Sequence, residues 1–164
     1  MNRQFLFLII AIATLTLSTS CSTKTVYNID QLMEVASTQV DKEVTVRGLV
    51  NHVCEHTAKK CFIVNETNEL SLRINAGGDI DIFDKKLIGS TIQAVGILKE
   101  QRIEKEIIDE NEKEALKNLN DEEEHDSCQA MLNNVEKMRK WMEKNNKDYY
   151  ALYYVDGLRY LVID

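Results

Sequence analysis

At 164 residues and 18.9 kDa the chain has the length of one domain, with room for an appendage. Its 44% hydrophobic and 29% charged residues, with 6 Gly and no Pro, exclude collagen-like, linker-like and wholly disordered chains. A net charge of −7 leaves no broad basic face for a phosphate backbone, so nucleic acid is disfavoured as a partner.

Residues 1–20 read as an export signal outside the fold. Arg3 supplies a short basic start, and Phe5 to Leu17 is an apolar run of 13 residues. That is too short for a helix across a bilayer core of roughly 30 Å. Ser18, Thr19 and Ser20 then precede Cys21. A cysteine so placed resembles the lipobox of bacterial lipoproteins, in which that cysteine begins the mature chain and carries the lipid. The match is relaxed, because Ser18 stands where the strict form has Leu and Leu17 lies one place early. The resemblance implies a membrane partner through lipidated Cys21. It also implies a place in the bacterial cell envelope, facing the periplasm or the cell exterior. Plain signal-peptidase cleavage is the alternative. Removing residues 1–20 takes away Arg3 and no acid, so −7 becomes −8.

Residues 21–28 read as a polar tether, and residues 29–164 as the folded domain. Asp30 is a candidate cap for a short helix to Thr38, with Leu32, Met33, Val35 and Ala36 on its apolar side. Glu43 to Val53 alternates as a strand, with Gly48 placed for a bulge or bend. Cys61 to Asn65 and Leu70 to Ala76 read as two further strands, the second broken by Gly77-Gly78. Ile80 to Leu87 suggests a short helix or irregular segment. Thr91 to Leu98 is a fourth strand. Apolar spacing in a strongly acidic stretch then predicts helices over about 102–118 and 122–145. Tyr149 to Val155 and Leu158 to Ile163 read as strands joined by an Asp156-Gly157 hairpin turn.

This order resembles the OB-fold, a five-stranded Greek-key barrel. The run from Val40 to Val50 is similar to the first strand of OB domains of the transfer-RNA-anticodon-binding type, and Asp79 to Gly96 to their helix and fourth strand. The chain is also similar to OB-fold lipoproteins of the Bacteroidota with a His/Cys motif near the end of the first strand. The implied fold is mainly β with helices: an OB barrel with an N-terminal helix and a two-helix insertion, about 102–146, before the last strand.

The three His and the three mature Cys other than Cys21 fall in two windows: His52, Cys54, His56 and Cys61, then His125 and Cys128. On a strand, positions 52, 54 and 56 share a face. On a helix, 125 and 128 share one. The insertion is expected to bring the two windows together at one edge of the barrel. Such residues suit a transition metal, zinc above all, with more candidates than a tetrahedral site needs. Two other readings stand beside it. Cys54 and Cys61 could close a structural disulfide in an exported protein, or a thiol could be redox-active, with Lys59 and Lys60 lowering the pKa of Cys61. The periplasmic haem chaperone of cytochrome maturation is also an OB-fold, but it attaches haem through a C-terminal histidine, and no His follows Cys128 here.

Tyr149, Tyr150, Tyr153, Tyr154 and Tyr160 form either a stacking platform or a covering of the barrel. Met131, Met138 and Met142 read as packing residues, and Trp141 either packs against the barrel or lies at a ligand edge. No triad, phosphate-cradling Gly loop or paired-carboxylate site is present. The expected function is therefore non-enzymatic: a membrane-anchored OB-fold binding lipoprotein with a His/Cys metal site. The alternative is a metal-free adaptor, stapled by Cys54–Cys61, for a protein, peptide or oligosaccharide partner.

Overall fold

The computed structural model describes residues 24–121 and 124–163. Residues 1–20, read as the export signal, and Cys21 lie outside them. In chain order the elements are β1 (Val26–Asn28), α1 (Ile29–Gln39), β2 (Glu43–Val53), β3 (Lys60–Val64) and β4 (Ser71–Asn75). A 3-10 turn at Lys85–Leu87 follows, then β5 (Thr91–Glu104), α2 (Lys105–Asn118), α3 (His125–Asn145) and β6 (Tyr149–Val162).

Five strands close on themselves. β2 pairs antiparallel with β3, and β3 with β4. β4 pairs parallel with β6, β6 antiparallel with β5, and β5 returns to β2. That connectivity is an OB-type barrel with an added strand and helices, as the sequence pattern predicts. Closure removes the open edges that a sheet of this size would expose. β2 serves two partners: residues 43–49 pair with β5, and residues 49–53 with β3. Gly48 sits at the change of partner, where a Cβ would press on Ile29 and Ile63 at 3.1 Å.

The core is the inward half of each alternating strand, with Val46, Val50, Ile63, Leu72, Ile74 and Leu98 fully buried. α1 lays Ile29, Leu32 and Ala36 against it. Its cap is Asn28 and not Asp30. The Asn28 side chain accepts from the Gln31 N–H at 2.8 Å, and the Gln31 side chain accepts from the Asn28 N–H at 3.1 Å. Ile80, Phe83 and Leu87, from the irregular segment after β4, join the same core.

Three expectations are corrected. The end of the supposed tether is a strand, since Val26–Asn28 pairs parallel with Thr45–Arg47. The fourth barrel strand runs to Glu104, past the predicted helix start at 102, because Lys99–Glu104 finds a full set of partners in Tyr149–Tyr154. The Asp156-Gly157 hairpin does not form. Residues on both sides of it pair with the same long strand β5, so β6 passes straight through with a shift in register at Val95/Gly96. Gly157 lies opposite Gly96, and a side chain at Gly96 would collide with the Asp156 carbonyl. The glycine serves close strand crossing and not a turn.

α2 and α3 form an antiparallel hairpin on the end of the β5–β6 ribbon. Ile108, Val135 and Met142 are buried in a seam with Ile103, Met138, Trp141 and Tyr150. Arg139 ties the helices by bonding Asp109 at 2.8 Å and Glu112 at 2.6 Å. α3 stops at Asn146 in the left-handed region (φ 50°), with the Lys147 N–H on the Met142 carbonyl. No helix of the described residues is long and apolar enough to cross a membrane.

Candidate binding face

The six His and Cys residues are dispersed. β2 ends at Val53, so the shared strand face expected for positions 52, 54 and 56 does not exist. Residues 54–58 form a turn, closed by the Ala58 N–H on the Cys54 carbonyl at 2.9 Å. His52 points outward and rests on Phe62, with ring centroids 5.6 Å apart. His56 is exposed on the turn. Cys61, the partner of Val53, points into the barrel and is fully buried. Period-two alternation thus puts His52 and Cys61 on opposite sides of one wall.

His125 and Cys128 lie elsewhere. α3 is anchored to the barrel near Trp141 and Met142, and Cys128 is 14 positions away, roughly 21 Å along the helix axis. His125 is exposed, its Nδ1 2.9 Å from the Leu119 carbonyl, while Cys128 is buried. The expected meeting of the two windows does not occur, because the helical hairpin carries the second window away from the barrel. Among the described residues no group of three or more His, Cys, Asp and Glu is arranged to hold a metal ion. This donor set does not fit a tetrahedral zinc site. Cys54, Cys61 and Cys128 are all free thiols, so the alternative Cys54–Cys61 bridge is also absent.

The thiols differ in character. Burial pushes Cys61 up to about 12. That reverses the expectation that neighbouring lysines lower it. Cys54 is lowered, chiefly by the Thr57 hydroxyl, which donates to its sulfur at 3.6 Å, then by the backbone N–H groups of Thr57 and His56.

A second constellation is brought together by register. His52 pairs with Phe62, Phe62 with Arg73, and Arg73 with Tyr154. Their neighbours Cys61, Ile63, Leu72, Ile74 and Val155 point inward, so these four form one row across the outer face of β2, β3, β4 and β6. The Arg73 guanidinium lies 4.5 Å from the centre of the Tyr154 ring. Its Nε is buried and finds no hydrogen-bond partner among the described residues. One step along the strands, Asn75 donates to Asp156 at 2.9 Å, and the Asn75 Oδ1 is also unpartnered there.

The row opens on a groove of about 630 Å³ between α1, the end of α3 and the start of β6. Ser71 and Leu152 line it, each two residues before Arg73 and Tyr154 on the same face. Trp141, Tyr150, Met33 and Leu70 give it apolar walls, and Asp30, Glu34 and Lys144 its charges. Trp141 meets Tyr150 edge-on at 5.2 Å.

The tyrosines divide between packing and contacts with cationic side chains. Tyr150, Tyr153 and Tyr160 pack, with Tyr153 pushed up to about 12 by burial and by Glu100 beside it. Tyr154 and Tyr149 carry cations, Tyr149 beneath Arg102 and Lys147. Met138 and Met142 belong to the hairpin seam, whereas Met131 is 36% exposed. Phe62 and Arg73 were not singled out by sequence. The available signal was an arginine inside a short apolar strand, between Leu72 and Ile74.

No protein-family model matches the chain, and no curated protein matches it. Among solved structures it is similar to one assigned as an aspartyl-tRNA synthetase from Leishmania major Friedlin, at 19% identity and a TM-score of 0.35. That match covers 54% of this chain and 18% of the other. The barrel assignment rests on strand connectivity and not on that likeness.

Proposed function

We propose that this protein is an exported, lipid-anchored OB-fold binding module that performs no catalysis. It holds an extended, carboxylate-bearing segment of a protein partner on the outer face of β3, β4 and β6. In OB barrels the second and third barrel strands, here β3 and β4, are the usual ligand face. The carrying observation is Arg73, stacked on Tyr154 in register with Phe62, its Nε without a partner among the described residues. A guanidinium held over a ring presents its remaining donors to a carboxylate as a fork. Phe62 beside it and the Trp141–Tyr150 groove offer apolar surface near that charge.

The export and lipid-anchor parts of the reading rest on residues 1–21, where Cys21 follows the apolar run. The dispersal of His52, Cys54, His56, Cys61, His125 and Cys128 favours the binding face over zinc as the working site.

The test uses residues 22–164 on peptide and acidic-glycan arrays, compared with Arg73→Gln and Tyr154→Ala forms whose folding is checked by circular dichroism. Acidic peptides are expected to bind, and Arg73→Gln to weaken them about tenfold or more, as for loss of a charge-assisted bond. Retention of binding in both variants would refute the reading. Selective binding of glycans would keep the face and replace the partner.

A further inference from the structure

The wall of the barrel away from β3 and β4 has a different chemistry. Register places Val26, Thr45, Val95 and Arg159 in one outward row across β1, β2, β5 and β6. Asn28, Arg47, Gln93 and Leu161 form the next. Beside them lie Leu49 and Ile88. The apolar side chains Val26, Leu49, Ile88 and Leu161 are between 40% and 67% exposed. Arg47 and Arg159 are exposed in the same rows. Of the acids on or beside this wall, Glu43 is paired with Lys24 and Asp156, in the row of Ile97, accepts from Asn75, while Asp30 and Glu66 lie at its margin near Arg47 and Leu49. The middle of the wall thus sets exposed apolar side chains beside two arginines, on a chain whose net charge is −7.

Two facts of position give this wall an occupant. β1, which forms part of it, is where the described chain begins, and Cys21 lies only five residues before Val26. Five residues span at most roughly 17 Å. The acidic helices grow from the other end of the β5–β6 ribbon. That ribbon runs from Ile92 opposite Val162 to Glu104 opposite Tyr149, roughly 40 Å along a strand.

We propose that the β1–β2–β5 wall rests on the membrane surface. Val26, Leu49 and Leu161 enter the headgroup layer, while Arg47 and Arg159 meet anionic lipid phosphates. This inference rests on the lipid anchor at Cys21. Apolar side chains contribute by leaving water, and arginines by attraction to anionic lipid, each too weak to hold the domain without the anchor. The orientation turns the acidic α2–α3 hairpin outward and leaves the row of Phe62, Arg73 and Tyr154, on the other side of the barrel, free for a partner.

The test uses the full lipid-bearing chain reconstituted in vesicles of phosphatidylethanolamine and phosphatidylglycerol containing brominated lipid. The native indole is removed by Trp141→Phe, and a single new one is introduced by Leu161→Trp or, on the exposed side of α2, by Leu116→Trp. The indole at position 161 is expected to be quenched about twofold or more, consistent with insertion into the headgroup layer, and that at position 116 not at all. Arg47→Glu with Arg159→Glu should abolish the quenching at 161 while the chain still sediments with the vesicles. Sedimentation with no quenching at 161 would overturn the membrane contact and leave the anchor standing. Failure of the chain to sediment would refute the anchor, and this inference with it.

Discussion

The barrel and the helical hairpin are held in different ways. In the barrel every strand has neighbours on both sides, and the inward residues of all five meet in one core. The hairpin has one seam, shared between Ile108, Val135 and Met142, and meets the barrel through Ile103, Trp141 and Tyr150. Its exposed surface is acidic, and its cross-helix tie, Arg139 with Asp109 and Glu112, is more than a third exposed. Closure makes the barrel cooperative, whereas the hairpin depends on its base. A surface that must hold a partner in fixed geometry therefore belongs on the barrel strands, where Phe62, Arg73 and Tyr154 lie.

The comparison breaks most directly in the barrel core. Ile74→Ala should cost about 2–5 kcal/mol in urea unfolding, with loss of strand and helix signals together. Trp141→Ala should cost about 2 kcal/mol and act locally. Hydrogen exchange should speed in α2 and α3 while β2, β3 and β5 amides stay protected. If the whole protein loosens at once, the hairpin is part of the barrel's cooperative unit and the contrast fails.

Alkaline pH gives a smaller effect confined to the barrel. Cys61 holds its proton to about 12 when folded, whereas a thiol in the unfolded chain ionises near pH 8.5. The unfolded state thus loses this proton first. The contribution is fully present below about pH 8.5 and is lost as pH rises towards 12, by about 2 kcal/mol at pH 10. Cys61→Ala should remove that part of the slope in pH-dependent unfolding. The smallest expected change is Arg139→Ala, about 0.5 kcal/mol or less for a tie this exposed, seen as a slight shift of the hairpin's exchange rates alone.

The barrel was legible because its strands alternate. Val44, Val46 and Val50 in β2, and Leu72 and Ile74 in β4, announce one buried face each. The errors arose where local signals compete with pairing. Lys99–Glu104 has the composition of a helix, but β6 supplies partners along its length. Asp156-Gly157 has the composition of a turn, and the same ribbon keeps it straight. Val26–Asn28 is too short to show a period. The site was harder to read. The His/Cys residues looked like one cluster because a sequence does not reveal that β2 ends at Val53, or that α3 points Cys128 away from the barrel. Tyr154 was one of five tyrosines noted together, and its meaning comes from Arg73 and Phe62, which strand register sets beside it.

The account's central claim is that this protein works through the outer face of β3, β4 and β6. The direct measurement is amide chemical-shift mapping on residues 22–164 titrated with the strongest acidic peptide from the array, with and without added zinc. The account predicts perturbations centred on Phe62, Arg73 and Tyr154 and extending through Ser71 and Leu152 towards Trp141, unchanged by zinc. Perturbations confined to Cys54–Cys61 and His125–Cys128, and dependent on zinc, would contradict it.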